Sequence, residues 1–486
     1  MSIEQTTPPP APPVPPAPVA SPAPAAPPAP AASPAPVAKP QRGDELELRV
    51  DALAFGGNGV ARLPLGDRGY VVFVRDAIPG DRVRAVVTKR KRDYAEARMI
   101  EVLEPGPDRI APTCAHPGAP WQILPYERQL EVKAEQVDEA LRRLGRLDGF
   151  ALEPIVPAEQ TWRYRNKLEY SFGTGPDGEL VCGFHAPGSW ERIEPLESCL
   201  LASERGDELR RRALEACRAL GLDAYDRRSQ TGFLRNLVVR EAQRTGQAQV
   251  RLVTSPGSFD ADAFASAMGD VDSLIWTQAA GVAETTQGGR DELLAGTARI
   301  EEELCGMRFA LSSEAFFQVN TEMAERLYGV VAEYAALRGW ERVYDLCCGI
   351  GTIGLTLAPR AGEVVGVELV EDAVLDAEHN ARANELTNAR FVAGDVRLVL
   401  KELGERGERP NVVVVDPPRA GLSKKVVERI AQAAPTRIVY VSCNPTTLAP
   451  NAAQLVEAGY RLTRVRPVDM FPQTPHIECV ALLERG

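Results

Sequence analysis

An α/β fold with a doubly wound parallel sheet is the class that the sequence predicts for residues 313–486. From Ser313 onwards, short apolar runs such as "EVVGVEL" and "NVVVVDPP" alternate with helical segments such as "TEMAERLYGVVAEYAAL". Strands that are buried on both faces of a parallel sheet appear as such continuous apolar runs. Glycine or polar residues follow each run directly, and ligands of these sheets bind beyond the carboxyl ends of the strands.

Three segments precede the predicted sheet. Residues 1–42 are mostly Ala, Pro, Val and Ser, a composition that cannot form a core, so a disordered tail is expected; docking to a proline-binding partner is the alternative. Residues 43–105 alternate apolar and polar positions between Gly and Pro turns, which predicts a small OB-like β-barrel. Residues 106–312 predict a mixed α+β domain, and an amphipathic helix over 125–145 can pack on the C-terminal sheet.

Charge and composition restrict the class of protein. The net charge of −11 argues against a surface coated by polyanions, but seven basic residues stand against two acidic ones between Arg82 and Arg98, a local balance of +5. A barrel with such a hairpin is a common platform for nucleic acids, and a solvated charged face is the alternative. Nine cysteines without a regular framework predict free thiols. We expect a cytoplasmic protein without membrane association, because the sequence has neither a signal peptide nor an apolar run of about eighteen residues.

The first two strands of the predicted sheet end in residues that suit a nucleoside ligand. The first ends in "DLCCGIGTIG", where Gly349 and Gly351 let the backbone approach a ligand closely. The second ends in "GVEL", and its Glu368 stands 17 residues after Gly351. A carboxylate at this place can accept hydrogen bonds from both hydroxyls of a ribose.

The third and fourth strands narrow the choice of ligand. Asp395 follows the third strand, where a polar side chain can meet an adenine edge, and Asp416 opens the loop "DPPRAGL", which its paired prolines make rigid. Together with the glycine turn and the ribose carboxylate, these features resemble the S-adenosylmethionine site of class I methyltransferases. A nicotinamide cofactor is the alternative.

The fifth strand, "TRIVYV", ends in "SCNP" and places Cys443 at the same edge of the sheet. A free cysteine is usually a small packing residue, but one in a polar turn beside a methyl donor can be a nucleophile. Carbon 5 of a pyrimidine becomes reactive once a thiolate adds to carbon 6, and the proton left at carbon 5 then needs a base. Glu478, before the apolar strand "CVALLE", can be that base, and His476 lies two residues before it.

The motifs "FFQVN", "DLCCGIGTIGL", "VVVDPPRAGL", "VSCNPTTLA" and "DMFPQTPHIECVALL" resemble the RNA uracil-5-methyltransferase family. The resemblance runs from about Gly43 to the last residues and implies S-adenosylmethionine as cofactor, Cys443 as nucleophile and Glu478 as base. It also implies that residues 43–105 are a TRAM domain, which the ribosomal RNA members carry. We therefore favour 23S ribosomal RNA as substrate, with transfer RNA as the alternative, and expect a monomer that binds no DNA.

The resemblance extends to further site residues. Those expected to contact or hold the substrate are Phe316, Asp416 and His476. Those expected to contact the cofactor are Gln318, Cys347, Gly349, Gly351, Thr352, Glu368, Asp395 and Asp416. Related sequences often have an aromatic residue in place of Cys347 and an asparagine in place of Thr352. This difference affects the detail of the cofactor contacts, because Thr352 still donates and accepts a hydrogen bond.

A second departure concerns metal binding. Many members of the family carry an iron–sulfur cluster on four cysteines, whereas here only Cys114 and Cys199 match the ligand positions. Such clusters normally need the full set of thiolates. The resemblance therefore predicts no cluster and no other metal, unless His116 or Cys182 replaces a missing ligand.

Three other functions are alternatives for a methyltransferase fold. RNA cytosine-5 methylation uses similar chemistry, but its enzymes carry a cysteine after the proline of the fourth-strand loop, where this chain has "DPPRAG". Amino-group methyltransferases need no cysteine nucleophile and usually have an aromatic residue where Arg419 stands. The third rival is an RNA-binding assembly factor that no longer catalyses, and a Cys443→Ala variant that loses methylation but keeps RNA affinity separates it from an enzyme.

Overall fold

The computed structural model describes residues 39–65, 69–281 and 286–486. Most of the tail predicted for residues 1–42 lies outside the described residues, so its disorder stays a prediction. Within the described chain, the strands form a closed five-stranded barrel, a seven-stranded sheet, a two-stranded hairpin and an eight-stranded sheet. Their arrangement decides which loops meet at the candidate site.

The N-terminal barrel is built from five strands. They are β1 (Glu45–Leu53), β2 (Gly59–Leu63), β3 (Tyr70–Arg75), β4 (Arg82–Arg90) and β5 (Tyr94–Glu104). They close in the order β1-β2-β3-β5-β4, with β3 and β5 parallel. Leu48, Val72 and Val83 are buried in the barrel core, because every second residue of a strand points inward. The barrel that this alternation predicts is confirmed.

The basic hairpin of the barrel is less positive than the sequence between Arg82 and Arg98 indicates. Three of its seven basic side chains form ion pairs with barrel carboxylates: Arg82 with Glu47 and Glu104, Arg84 with Glu101, and Lys89 with Glu96. Cross-strand partners meet although they are distant in sequence, so a count along the chain overestimates the charge. The exposed tip between β4 and β5, with Arg90, Lys91 and Arg92, has no ion pair among the described residues.

The segment after the barrel packs on the C-terminal part of the chain. Helix α1 (Tyr126–Glu139) continues as one π-helical turn and so covers most of the helix predicted over 125–145. Val137 of this helix is fully buried in the core of the C-terminal sheet. Strand β6 (Ala151–Leu152) then pairs with the edge of that sheet. The sheet therefore includes residues from well before residue 313.

The central part of the chain forms a mixed sheet with helices on one face. Its strands are β7 (Lys167–Thr174), β8 (Leu180–His185), β9 (Ile193–Pro195), β10 (Leu234–Glu241), β11 (Ala248–Thr254), β12 (Ser273–Gln278) and β13 (Arg290–Gly296). Their order is β13-β12-β11-β10-β7-β8-β9. Helices α2 (Glu204–Ala219) and α3 (Ala261–Met268) pack against the sheet. A hairpin of β14 (Ile300–Leu304) and β15 (Met307–Leu311) leads into the C-terminal part.

The C-terminal sheet contains β6 and seven later strands. These are β16 (Arg342–Leu346), β17 (Glu363–Glu368), β18 (Ala389–Ala393), β19 (Val412–Val415), β20 (Arg437–Ser442), β21 (Tyr460–Val468) and β22 (Glu478–Arg485). Their order is β18-β17-β16-β19-β20-β22-β21-β6. Strands β16 to β20 are parallel to their neighbours among themselves, whereas β22 is antiparallel to β20 and β21. The predicted doubly wound fold is confirmed.

Helices cover both faces of this sheet. They are α4 (Thr321–Ala335), α5 (Thr352–Leu357), α6 (Glu371–Ala383), α7 (Val396–Glu405), α8 (Lys424–Ala433) and α9 (Pro445–Glu457). Asn320, Asp395, Ser423 and Asn444 cap four of them by accepting a hydrogen bond from an N–H of the first turn. Across the described ranges, no helix is both long and apolar enough to cross a bilayer.

Candidate active site

Four residues predicted from the sequence lie at one edge of the C-terminal sheet. The ends of β16, β17 and β19 are in register, and β20 runs in the same direction beside β19. Glu368 is the last residue of β17, while Cys347, Asp416 and Cys443 directly follow the ends of β16, β19 and β20. Because ligands of parallel sheets bind at this edge, the register brings the glycine turn, the carboxylates and the thiol to one site.

The turn after β16 lets the backbone approach a ligand. Cys347, Gly349 and Gly351 have φ angles of 62°, 56° and 84°, in the left-handed region that favours glycine. A Cβ on Gly351 would lie 3.0 Å from the Phe391 ring, whereas one on Gly349 would meet nothing within 4 Å. The two glycines thus serve different needs: Gly351 avoids a clash within the protein, and Gly349 leaves open space beside the turn.

Glu368 borders this open space. One of its carboxylate oxygens accepts a hydrogen bond from the Gly349 N–H at 3.0 Å, and the other accepts from the N–H groups of the next two residues at 2.7 and 3.0 Å. These bonds hold the carboxylate at the turn without saturating it, since a carboxylate offers about four acceptor positions. The hydroxyl groups of a ribose fit the remaining capacity.

Two carboxyl groups with raised pKa values lie beside the turn. Asp345 of β16 is fully buried; one oxygen accepts a hydrogen bond from the Gly354 N–H at 2.7 Å, and the other has no partner among the described residues. Burial raises the pKa of Asp345 and that of Asp416 to about 7, and the charges of Asp416 and Glu368 add to the shift at Asp345. Sequence reasoning assigned Asp345 no role, because one carboxylate within an apolar run gives little sign of its surroundings.

Other predicted residues are distributed around the same edge. Thr352 begins α5, and its hydroxyl hydrogen-bonds to the Tyr328 hydroxyl at 2.9 Å. Gln318 is buried, whereas the ring of Phe316, two residues earlier, is 68% exposed. Asp395 caps α7 with one carboxylate oxygen, so part of its acceptor capacity is used within the protein.

Cys443 and Glu478 face each other on neighbouring antiparallel strands. Ser442, the last residue of β20, pairs with Cys479 of β22. The next pair in this register is therefore Cys443 with Glu478, and opposite residues of antiparallel strands have Cα atoms roughly 4.5–5.5 Å apart. The sheet itself places the thiol beside the carboxyl group with which it is predicted to act.

The surroundings favour the neutral forms of both groups. Burial raises the pKa of Cys443 to about 11; the carboxylates of Glu478 and Asp416 add to this shift, and the charge of Arg419 opposes it. Burial also raises the pKa of Glu478 well above its usual range, with a further contribution from Asp416. Glu478 is only 4% exposed, and its Oε2 atom has no hydrogen-bond partner in the described part of the chain. When Glu478 is ionised, this oxygen can accept a proton without breaking another bond.

The loop that carries Asp416 is tied to the turn that carries Cys443. Asn444 donates a hydrogen bond from Nδ2 to the Arg419 carbonyl at 3.0 Å. The side chain of Asn451 exchanges two further hydrogen bonds with the backbone of the same loop, at 2.8 and 3.0 Å. The loop and the turn therefore keep a fixed spacing.

Arg419 and His476 form another wall of the site. Arg419 Nη2 donates to His476 Nδ1 at 3.2 Å, and the Phe471 ring meets the imidazole edge-on with ring centroids 6.0 Å apart. Burial and the Arg419 charge lower the pKa of His476 to about 4, so this imidazole is neutral at pH 7. His476 was predicted as a site residue, but Arg419 was not, although its place directly after the paired prolines was an available signal.

Helix α1 holds the loop that precedes β22. Lys133 Nζ donates to Asp469 Oδ1 at 2.6 Å and to the Phe471 carbonyl at 3.1 Å, and both charged side chains are fully buried. Gln129 Nε2 donates to Gln473 Oε1 at 2.8 Å, and the Gln473 N–H donates back to Gln129 Oε1 at 2.9 Å. We call Gln129, Lys133, Asp469 and Gln473 the helix clamp. It positions the segment between β21 and β22 that leads to the active site.

Lys133→Met is expected to destabilise the protein by about 3–5 kcal/mol, because it leaves the Asp469 carboxylate buried without its cation. Combining Lys133→Met with Asp469→Asn should recover much of this loss, since the amide removes the unpaired charge and keeps an acceptor for the Tyr126 hydroxyl. Urea denaturation measures the free energy of unfolding of both variants. A single variant as stable as the parent would show that the ion pair makes no net contribution.

Protein contacts occupy the region where the family resemblance places the ligands of a cluster. His116 Nδ1 accepts a backbone hydrogen bond at 3.1 Å, so Nε2 carries the proton and faces Cys199 Sγ at 3.2 Å. Cys114 hydrogen-bonds to the Gln122 side chain, and Cys182 is buried. Within the described residues, no group of three or more His, Cys, Asp or Glu side chains could hold a metal ion. The absence of a cluster stays a prediction, which iron analysis of the purified protein would check.

Fold and site together define the class of protein. Five parallel strands, from β18 to β20 in the sheet order, are followed by the antiparallel strand β22, and β21 and β6 lie beyond it. The left-handed glycine turn, the carboxylate at the end of β17 and the D-P-P loop lie together at the carboxyl ends of the parallel strands. These are the features of a class I methyltransferase that uses S-adenosylmethionine.

Comparison with known proteins specifies the family. Residues 291–486 match the family described as tRNA (uracil-5-)-methyltransferase, and residues 39–100 match the TRAM domain. A Clostridium tetani protein named "uncharacterized RNA methyltransferase" is 37% identical over 457 residues, which cover 92% of this chain and 98% of that protein. A Gloeobacter violaceus protein named in the same way is 39% identical over 457 residues, 92% of this chain and 97% of that protein. The chain belongs to the RNA uracil-5-methyltransferase family.

A solved structure supports the same assignment. Pyrococcus abyssi tRNA (uracil-54, C5)-methyltransferase in complex with S-adenosyl-L-homocysteine is 28% identical, with a TM-score of 0.72, and the match covers 90% of this chain and 100% of that one. The family resemblance drawn from the sequence motifs is therefore confirmed, as are the TRAM domain, the class I methyltransferase fold and S-adenosylmethionine as cofactor. The protein is an RNA methyltransferase.

Proposed function

We propose that the protein methylates carbon 5 of a specific uridine in RNA, with 23S ribosomal RNA as the favoured substrate. The position of Cys443 opposite Glu478, directly after the paired residues Ser442 and Cys479 at the end of β20, is the observation that carries this proposal. Transfer of methyl groups to amino groups needs neither side chain. Enzymes of RNA cytosine-5 methylation have their additional cysteine in the loop after the fourth strand, where Arg419 follows the prolines here.

Residues at the ends of β16 and β17 would hold the cofactor. The turn at Gly349 and Gly351 allows close backbone approach, and Glu368 accepts hydrogen bonds from the ribose hydroxyls. Further proposed cofactor contacts are Gln318, Cys347, Thr352, Asp395 and Asp416. When bound, S-adenosylmethionine would supply an electrophilic methyl group on a positively charged sulfur and would be released as S-adenosylhomocysteine.

Glu368→Gln is expected to weaken the binding of S-adenosylhomocysteine about 10- to 150-fold, because hydrogen bonds to charged groups contribute roughly 1.5–3 kcal/mol. Isothermal titration with S-adenosylhomocysteine measures the effect. Glu371→Gln is the matched control, since Glu371 is exposed in the first turn of α6. Equal affinities of the two variants would contradict the role of Glu368 as the ribose acceptor.

Cys443 begins the reaction on uridine. Its sulfur forms a bond to carbon 6, and the electron pair of the 5,6 double bond moves towards carbon 5 and the carbonyl at carbon 4. Carbon 5 can then take up the methyl group. With a pKa of about 11, the thiol is mostly protonated at neutral pH. Because Cys443 is only half-buried, its proton passes to solvent water before the thiolate attacks. Arg419 is the neighbour whose charge favours the thiolate.

Glu478 completes the reaction. After methylation, carbon 5 carries both the methyl group and its original proton. The ionised form of Glu478 takes this proton, the electron pair restores the 5,6 double bond, and the Cys443 sulfur leaves carbon 6 as a thiolate. A desolvated carboxylate with a raised pKa is a stronger base than one in water, and the unpartnered Oε2 atom is suited to this step.

The target uridine has to unstack from its neighbouring bases before its carbon 6 can contact the thiol. The exposed ring of Phe316 offers a stacking surface for a base. Because His476 Nδ1 accepts from Arg419, the neutral ring carries its proton on Nε2 and can donate it to a carbonyl of uracil. Asp416, with a pKa of about 7, can hold the opposite edge of the base.

The choice of RNA is a separate part of the proposal. In the family, the ribosomal RNA members carry the TRAM domain, which favours 23S ribosomal RNA. Similarity to the Pyrococcus abyssi protein, which is named as a tRNA (uracil-54, C5)-methyltransferase, makes transfer RNA the second candidate. A monomer in the cytoplasm remains our prediction for the state of the protein.

Lys91→Ala and Arg92→Ala are each expected to weaken RNA binding and to lower the slope of log affinity against log salt by about 1, because each removes a cation at the barrel tip that can neutralise a phosphate. Fluorescence anisotropy at increasing salt measures both quantities. Arg84→Ala is the matched control, since Arg84 is already paired with Glu101. An unchanged salt slope in the tip variants would place the RNA elsewhere.

Mass spectrometry of the intact protein tests the proposed reaction. The protein is incubated with S-adenosylmethionine and with 23S ribosomal RNA or transfer RNA transcripts that contain 5-fluorouridine. Fluorine cannot be removed as a proton, so a methylated adduct on Cys443 should accumulate, and the transcript that forms it identifies the substrate. Absence of an adduct with every transcript, while the cofactor still binds, would contradict the carbon 6 mechanism.

A further inference from the structure

A cavity on the central sheet lies outside the active site. It has a volume of about 260 Å³ and is bordered by the end of β7, by β8 and by the loops before β9 and β10. Trp190, Tyr225, Arg227, Arg228 and Arg235 contribute to its walls. Its volume is below the roughly 300–1,000 Å³ typical of sites for drug-sized ligands. We call it the Trp190 cavity.

The cavity presents flat aromatic and guanidinium surfaces. Trp190 is 55% exposed, although it is one of the largest apolar side chains. The guanidinium of Arg235 lies over the Tyr225 ring, 4.0 Å from the ring centroid, and its Nη2 atom donates to the Gly281 carbonyl at 2.6 Å. These contacts hold the Arg235 plane in place. Unpaired bases stack on such aromatic rings and on arginine planes.

Among the described residues that line this cavity, arginines outnumber carboxylates. Its three arginines face two carboxylates, Glu191 and Asp226. Glu191 pairs with Arg228 at the exposed rim, and Asp226 accepts hydrogen bonds from the backbone of its own turn at 2.7 and 3.0 Å. Burial and the Arg235 charge lower the pKa of Arg227. Arginine side chains can donate hydrogen bonds to a phosphate.

The cavity is connected to the active site by the course of β7. The residue before β7, Asn166, donates hydrogen bonds to the carbonyls of Gln318 and Val319 at 2.9 and 2.8 Å. Phe172 and the end of β7 border the cavity six to eight residues further along, which corresponds to roughly 20–26 Å in a strand. A single-stranded RNA can span such a distance with a few nucleotides.

The barrel contacts the loop that carries Trp190. The loop between β8 and β9 contains Trp190, and its Gly188 lies so close to Arg75 of the barrel that a Cβ would be 2.8 Å from Nη1. Pro187 of the same loop borders a second cavity, which reaches Pro475, the neighbour of His476. Surfaces of the active site, the barrel and the central sheet are thus continuous.

We propose that the Trp190 cavity is a second RNA subsite, which binds one unpaired nucleotide of the substrate outside the active site. The base stacks on Trp190 and Tyr225, and the adjoining phosphate meets the arginines. The inference rests on the protein acting on RNA, which the family establishes, and not on which carbon of the base is methylated.

Trp190→Ala tests this subsite against Trp340→Ala. Trp340 is 65% exposed and precedes β16 at the opposite edge of the C-terminal sheet, so both variants remove an exposed indole. The probe is a fluorescein-labelled single-stranded RNA of mixed sequence, about 20 nucleotides long, which exceeds the site of one OB-type fold. Anisotropy should show about 5- to 150-fold weaker binding for Trp190→Ala, the range expected for loss of one stacked base, and parent-like binding for Trp340→Ala.

A second readout separates this subsite from the proposed reaction. At saturating 5-fluorouridine RNA, Trp190→Ala should form as much Cys443 adduct as the parent protein, because the active site is unchanged. Equal RNA affinities of the Trp190→Ala and Trp340→Ala variants would overturn the subsite. So would a Trp190→Ala variant that loses affinity for free uridine monophosphate but not for the labelled RNA, since the cavity would then bind a free nucleotide.

Circular dichroism melts of both variants show whether folding is preserved. An unfolded Trp190→Ala is replaced by Trp190→Phe, for which parent-like affinity supports stacking and a large loss contradicts it.

Discussion

Cys443→Ala is expected to abolish RNA methylation, with turnover lowered on the order of 10⁴-fold or more, the scale observed when a covalent nucleophile is removed. Without the sulfur no bond forms to carbon 6, so carbon 5 stays too poor in electrons to accept the methyl group. Affinities for RNA and for S-adenosylhomocysteine should be unchanged, because the thiol is small and contributes no charge at neutral pH. Transfer of radioactive methyl groups to RNA measures turnover.

Cys305→Ala is the matched control for this experiment, since Cys305 is an exposed thiol between β14 and β15. It should methylate RNA like the parent protein. Methylation that persists in Cys443→Ala would show that the thiol is not the nucleophile. A parent protein that binds RNA and cofactor but methylates no RNA would instead favour the assembly-factor alternative.

Glu478→Gln is expected to trap the reaction after methyl transfer. The amide cannot take the proton from carbon 5, so the Cys443 sulfur cannot leave, and a methylated protein–RNA adduct should accumulate with ordinary uridine. Turnover should fall by about 10²- to 10⁴-fold, the usual contribution of a general base. Folding should be preserved, because glutamine is isosteric and removes a carboxyl group that is costly to ionise when buried. Denaturing gel electrophoresis with labelled RNA detects the adduct.

Glu484→Gln provides the comparison, because Glu484 lies near the far end of the same strand, β22. It should turn over normally and form no lasting adduct. The double variant Cys443→Ala/Glu478→Gln should form none either, which would assign the trapped bond to Cys443. A Glu478→Gln protein that is slow but accumulates no adduct would mean that this carboxylate acts before the methyl transfer and is not the base.

The fold was predictable where local pattern and burial agree. The apolar run "EVVGVEL" indicates a strand buried on both faces, and β17 occupies Glu363–Glu368. Strand β6 has only two residues and is stabilised by β21, more than 300 residues away, so no local signal marks it. The charge of the barrel hairpin was overestimated for a similar reason, since the partner of Arg84 is Glu101 on the facing strand.

Prediction of the candidate site was limited in the same way, because contacts between distant residues leave no local pattern. Cys443 was predictable because parallel strands end at a common edge, whatever their order in the sheet. Glu478 was predicted from the chemistry that the reaction requires and from the family resemblance. No local pattern shows that β22 runs antiparallel to β20. Arg419 and His476 are 57 residues apart in sequence, and their contact depends on how two loops meet in the folded chain.

The helix clamp affects how the protein folds during its synthesis on the ribosome. Lys133 is synthesised 336 residues before Asp469, and at about 5–20 residues per second the interval is roughly 20–70 s. During that time helix α1 has neither the carboxylate nor the glutamine that it needs, and its lysine must remain in water. The barrel and the central sheet can fold as they emerge from the ribosome. The active site can form only after the last strand, β22, has been synthesised. A chain released early would carry the proposed RNA-binding surfaces but would lack Glu478, the proposed base.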